Sequence, residues 1–185
     1  VTGLHFGESY TLTEIRAAGG YALADNITFR LIQKTDEGGN PLEECQVYYL
    51  TTKNILFWKW DDWRLLDDAT VIMRDDITKV QISKKDLTTK EELHGAELTL
   101  TDEKGNEIDR WISTDAPHYM ERLPAGKYTL TEVTAPDGYA IAERMEFEVL
   151  PNGEVQTFEM FDDTIKVKIS KVDITTNEEL PGAEL

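Results

Sequence analysis

The sequence predicts an all-β chain built of tandem β-sandwich domains, with little or no helix. Short runs rich in β-branched and aromatic residues are separated by Gly, Pro, Asn and Asp turn signals at intervals of about 8–12 residues. No stretch sustains an apolar period of about 3.6 residues over three turns, so amphipathic helices are not expected. The chain also repeats itself. Residues 73–98 (MRDDITKVQISKKDLTTKEELHGAEL) and 160–185 (MFDDTIKVKISKVDITTNEELPGAEL) agree at 18 of 26 positions at an offset of 87. Residues 9–31 (SYTLTEIRAAGGYALADNITFRL) echo residues 127–149 (KYTLTEVTAPDGYAIAERMEFEV) at an offset of 118. A period of roughly 90 residues is too long for a solenoid and suits a string of small domains.

The two offsets differ by 31, so the first copy carries about that much extra sequence between Leu31 and Met73. The expected division is a partial domain over 1–78 that lacks its first strands and bears an aromatic-rich insertion at about 32–70. A complete domain follows over 79–165, and 166–185 supplies the first strands of another. The chain reads as a slice of something longer.

In order, Tyr10–Glu14 and Ile27–Leu31 alternate apolar and polar residues around a turn at Ala18–Tyr21, the pattern of an antiparallel hairpin. Residues 35–46 (TDEGGNPLEECQ) are turn-rich. Val47–Leu50, Ile55–Trp60, Trp63–Leu66 and Thr70–Met73 are strand-like by composition. Any helix is expected only between Lys53 and Asp68. Trp58, Trp60 and Trp63 form either a ligand-binding platform or the packing of an extra hairpin. The complete domain yields seven strand candidates: 79–86, 95–101, 107–113, 117–122, 127–135, 142–150 and 153–162.

Composition narrows the function. With 40% hydrophobic residues each unit can bury a core. A net charge of −17 argues against nucleic acid or an anionic membrane surface as partner. One cysteine, Cys45, excludes an internal disulfide framework and any CxxC metal site. No apolar run of membrane length is present. His5, His94 and His118 are scattered, and no serine or cysteine nucleophile frame is visible, so a turnover enzyme is not expected. Acidic pairs such as Asp61-Asp62, Asp67-Asp68 and Asp75-Asp76 lack the alternating ligands and glycine of a calcium loop. No metal and no cofactor is expected.

Strand parity singles out three ionisable residues. Side chains alternate faces with a period of two. Lys84 continues the inward set Val80 and Ile82, Glu132 continues Tyr128 and Leu130, and Asp162 continues Phe158 and Met160. Lys85 and Asp163 are adjacent candidates that parity turns outward. Three buried charges in a small sandwich are costly unless they neutralise one another or react. An amine attacks only when neutral and a carboxyl accepts attack only when protonated, while their ordinary pKa values are about 10.4 and 3.9. Burial pushes both towards neutrality. The outcome is a buried ionic network or a covalent amide.

At these residues the chain resembles a known family. KVQISKKDLTTKEELHGAELTL, YTLTEVTAPDGYAIA and the closing EMFDD look like the CnaB-type (SpaA-like, prealbumin-like) repeat of Gram-positive cell-wall surface proteins, adhesins and pilins. The resemblance covers the complete unit, residues 9–31 and 69–78 of the first, and 166–185. It implies an Ig-like or prealbumin-like sandwich and a spontaneous isopeptide bond between a first-strand lysine and a last-strand Asn or Asp. Carried over, Lys84 is the nucleophile, Asp162 the acceptor and Glu132 the proton shuttle. Water rather than ammonia leaves, because the acceptor is Asp. Glu14 and Asp75 in the first unit match Glu132 and Asp162, and Lys171 in the last segment matches Lys84.

The function implied is a stalk segment of an extracellular, cell-wall-attached protein, with anchor and signal peptide outside this sequence. Its partners would be neighbouring repeats, and host matrix protein or glycan through other domains. Two alternatives remain: an adhesin module using the tryptophan-bearing insertion, and a transthyretin-like accessory domain of a secreted carbohydrate-active enzyme.

Overall fold

The computed structural model describes residues 2–55, 58–182 and 184, with side chains apart from those of 53–60. Eleven strands are described and, among these residues, no helix. They form three sheets, with strands in the order Ser9–Leu12, Ile27–Thr35, Pro41–Ile55, Trp58–Leu66 in the first, Met145–Val149, Gly126–Thr134, Glu97–Asp102, Glu107–Ile112 in the second, and Val155–Asp162, Lys79–Asp86, His118–Glu121 in the third. By density of packing the chain divides into two compact units. One comprises 1–81 with 119–127 and 148–156; the other comprises 82–118, 128–147 and 157–185.

The first unit opens with the expected hairpin. β1 (Ser9–Leu12) pairs antiparallel with β2 (Ile27–Thr35), placing Tyr10 opposite Phe29 with ring centroids 5.8 Å apart. The inserted sequence is a single long hairpin of β3 (Pro41–Ile55) and β4 (Trp58–Leu66), in register from Val47↔Leu66 to Ile55↔Trp58. This corrects three expectations. The turn-rich stretch 35–46 turns only at 36–40, where Asp36 accepts the Gly38 and Asn40 amides, and Pro41–Gln46 is already strand. Val47–Leu50 and Ile55 belong to one strand, because the pairing partner β4 runs past the break that composition suggested. Thr70–Met73 forms no strand; its apolar residues are not matched by a paired neighbour among the described residues.

Within this unit, residues 18–24, 76–79, 122–123 and 151–153 are stitched by backbone. Ala22 N–H donates to Asp76 O at 2.8 Å, Leu23 N–H to Pro151 O at 2.9 Å and Arg122 N–H to Thr78 O at 2.9 Å. Thr78 has no exposed surface and donates its hydroxyl to Leu123 O at 2.6 Å. Gly20 has φ +83°, and a Cβ there would lie 2.5 Å from Arg122 O. Only glycine fits both constraints.

Between residues 79 and 165 the strands are β5 (Lys79–Asp86), β6 (Glu97–Asp102), β7 (Glu107–Ile112), β8 (His118–Glu121), β9 (Gly126–Thr134), β10 (Met145–Val149) and β11 (Val155–Asp162). All seven candidates are present, with ends within three residues of those expected. In the second unit Ala96, Leu98 and Leu100 on or beside β6, Leu130 on β9, Ile82 on β5 and Met160 on β11 are buried. Alternation along β6 and β9 brings Leu100 opposite Leu130. Tyr128, Phe147 and Phe158 form an aromatic row, with Phe147 6.0 Å from Tyr128 and 4.1 Å from Phe158.

Residues 166–182, where the first strands of a further domain were expected, contain no strand. One isolated bridge, Val172↔Glu179, closes a turn.

Candidate functional site

β5, β9 and β11 bring Lys84, Glu132 and Asp162 together inside the second unit. Both Lys84 and Asp162 side chains are at most 1% exposed and Glu132 is fully enclosed. Lys84 Nζ donates to Asp162 Oδ1 and lies 3.0 Å from Glu132 Oε1. The second contact is close enough for an ion pair although it is not aligned as a hydrogen bond. Glu132 Oε2 accepts the Ala142 N–H at 2.6 Å. Asp162 Oδ2 is buried with no hydrogen-bond partner among the described residues.

Burial dominates the electrostatics. It pushes the Asp162 carboxyl up to about 6 against the opposing Lys84 contact, and the charge of Glu132 pushes the same way. The site therefore holds a carboxyl that protonates near neutrality against an amine, with a second carboxylate in contact with the amine. Such an arrangement can move a proton between the three groups without water.

Lys85 and Asp163 lie outside it. Lys85 pairs with Glu159, and Asp163 pairs with Lys166 at 2.6 Å, both on half-exposed surface. The residues aligned by the repeat are dispersed. Glu14 is half-buried and accepts the Ala24 N–H at 2.9 Å, the counterpart of the Glu132–Ala142 bond. Asp75 and Lys171 are exposed. Of the tryptophans in the insertion, Trp63 is half-buried with the Arg30 guanidinium 4.4 Å from its ring centroid. The side chains of Trp58 and Trp60 lie outside the described residues.

Sequence reasoning passed over Asp86 and Tyr139. Asp86 is buried, accepts the Thr88 and Thr89 amides and receives the Tyr139 hydroxyl at 2.8 Å. Those bonds hold its carboxyl below the usual aspartate range, the Thr89 amide most. The signal was present: Asp86 is the next inward position after Lys84, and Tyr139 lies in a Gly-Tyr-Ala motif repeated at 20–22.

Residues 78–164 match the family model described as SpaA, prealbumin-like fold domain. Comparison with curated protein sequences finds no significant match. Among solved structures the chain is similar to the Bacillus anthracis TIE protein, at 24% identity and TM-score 0.45, over 76% of this chain and 29% of that one. It is similar to the shaft pilin SpaA from Lactobacillus rhamnosus GG at 16% identity and TM-score 0.41, over 74% and 71%. The Streptococcal ancillary pilin aligns at 16% identity and TM-score 0.42, over 84% of this chain and 57% of that one. The chain thus spans under a third of the first of these proteins. The segment 78–164 is a SpaA-type domain of prealbumin-like fold.

Proposed function

We propose that the chain is a stalk segment of a cell-wall-attached surface protein or pilin, and that its SpaA-type domain closes a Lys84–Asp162 isopeptide bond. The observation that supports this most is the enclosure of amine and carboxyl in direct contact, beside Glu132, with their side chains buried. The neutral Lys84 amine attacks the Cγ carbon of the protonated Asp162 carboxyl, forming a C–N bond. The C–O bond breaks, the excess amine proton passes by way of Glu132 to the departing hydroxyl, and one water leaves. Holding the pair in contact supplies part of the roughly 7–11 kcal/mol available to ideal orientation. The event occurs once per molecule, so it is self-modification without turnover.

The division proposed is a partial domain over 1–78, a complete one over 79–165 and the start of another from 166. Repeated bonds support it: Ala22 N–H to Asp76 O and Ala140 N–H to Asp163 O are equivalent, as are the Lys79–Asp76 and Lys166–Asp163 pairs. Force entering at β5 and leaving at β11 would pass through the amide, so the domain between could not be unzipped. The partners would be neighbouring repeats and other subunits of the same surface structure, in an extracellular, cell-wall-attached location.

Intact mass of the folded chain tests the chemistry. A shortfall of one water, mapped by fragmentation to a Lys84–Asp162 peptide pair, is the expected result. A full sequence mass overturns it.

A further inference from the structure

Residues 136–142 run as a strap that reaches β5, β9 and the residues just after β11. Ala140 N–H donates to Asp163 O at 3.0 Å, and Ile165 N–H returns to Gly138 O at 2.8 Å, fixing the strap beside the end of β11. Ala142 N–H holds the Glu132 carboxylate of β9 at 2.6 Å. Tyr139, bridged by its backbone to Thr164, reaches across with its hydroxyl to Asp86 Oδ2 on β5 at 2.8 Å. Its backbone is thus anchored two residues after Asp162 and its side chain two residues after Lys84. The tyrosine spans the two strands whose side chains are to be joined.

We propose that Tyr139 is a positioning residue for the cross-link: by tying Asp86 to the strap it sets the distance between β5 and β11 and holds Glu132 through the Ala142 amide. This rests on the isopeptide reading of the same site. The hydroxyl has no chemical step of its own, since Asp86 is its acceptor and the reacting atoms lie on Lys84 and Asp162. A hydroxyl committed to a buried carboxylate makes a charge-assisted bond, stronger than a neutral one. Misplacement of reacting groups by a fraction of an ångström is felt directly in rate.

The repeat supplies a comparison. Loop 18–24 makes the same backbone bonds: Tyr21 N–H to Ala18 O matches Tyr139 N–H to Pro136 O, and Glu14 accepts Ala24. Yet the Tyr21 hydroxyl is bonded by Arg122 instead.

The test is cell-free synthesis of the full 185-residue chain, quenched in denaturing acid at intervals and read by intact mass. Tyr139→Phe keeps the ring and removes the tie. It is expected to lose water about tenfold more slowly than the unsubstituted chain, the size of one lost hydrogen bond expressed in a rate. Asp86→Asn, whose Oδ1 can still cap Thr88 and Thr89 and whose amide can still meet the tyrosine, is expected to react at an intermediate rate. It also supplies the comparison should Tyr139→Phe fail to fold. Amide exchange at Ala142 should quicken in Tyr139→Phe while exchange at Leu100 does not. Equal dehydration rates in the unsubstituted and Tyr139→Phe chains overturn the role of the tyrosine alone. Full mass in the unsubstituted chain overturns the cross-link and this inference together.

Discussion

Lys84 Nζ lies 3.0 Å from Glu132 Oε1, and neither side chain exposes more than 1% of its surface. A carboxylate so placed can receive the amine's proton, while its other oxygen is occupied by the Ala142 amide. Its orientation is therefore imposed by the backbone of a neighbouring strap rather than by solvent.

Glu132→Gln should fold, since its carbonyl can still accept the Ala142 N–H, but it should cross-link far more slowly for want of a proton acceptor. Intact mass after days of incubation checks this. Water loss at the unsubstituted rate would remove Glu132 from the proposed chemistry.

The proposed cross-link would join positions 78 apart. In the loop-entropy description, closing a loop of that size restrains the unfolded chain by about 4–5 kcal/mol. Lys84→Ala/Asp162→Ala removes both ends of that proposed bond, so its stability in denaturant should fall by roughly that free energy. Lys84→Ala alone should fall further, because it leaves a buried carboxyl unpaired. Midpoints unchanged in both variants would mean that no bond was present to lose.

Lys84→Ala also predicts an inverted pH dependence. The Asp162 carboxyl is raised from 3.8 to about 6 by burial even with Lys84 opposing, and the substitution removes that opposition. A folded-state value above the unfolded one means that the folded state holds the extra proton. The stability is then greatest below the unfolded value and is lost as pH rises through the window between the two. Lys84→Ala should resist urea better at about pH 4.5 than at about pH 7, by more than Lys84→Ala/Asp162→Ala does. Equal pH slopes in the two variants would contradict a raised Asp162.

Gly20→Ala addresses the first unit. Its Cβ would meet Arg122 O at 2.5 Å from a backbone at φ +83°. A clash with backbone added to left-handed strain should cost about 1–3 kcal/mol. Thermal unfolding monitored at the tryptophans of the insertion reads this directly. An unchanged midpoint would show that the 18–24 loop and residue 122 move apart freely.

Much of the site was legible because burial in a sandwich follows parity. Val80, Ile82 and Lys84, then Tyr128, Leu130 and Glu132, are all buried on alternate positions, as a period of two requires. Parity assigns a face but not a neighbour, so nothing in the chain order indicated that Tyr139 would meet Asp86. The insertion was read less well, since composition marks turns and strand formers but not where a partner strand keeps a pairing going through Thr51–Asn54.

Two stretches of nearly the same sequence separate what the sequence determined from what the tertiary structure decided. In DLTTKEEL (86–93) and DITTNEEL (173–180) the turn is the same. Asp86 accepts Thr88 and Thr89, and Asp173 accepts Thr175 and Thr176. Lys90 and its counterpart Asn177 share a left-handed backbone, with φ of 66° and 62°. These bonds lie within a few residues of one another, so local sequence suffices to form them. The residues just before the turns differ in fate. KVQISKKD (79–86) is strand β5, with Val80, Ile82 and Lys84 buried, while KVKISKVD (166–173) forms no strand and leaves Val167 78% and Ile169 79% exposed. A strand's hydrogen bonds and its apolar face must both be met by other strands. β11 and β8 meet them for β5, and no described strand does so for 166–173.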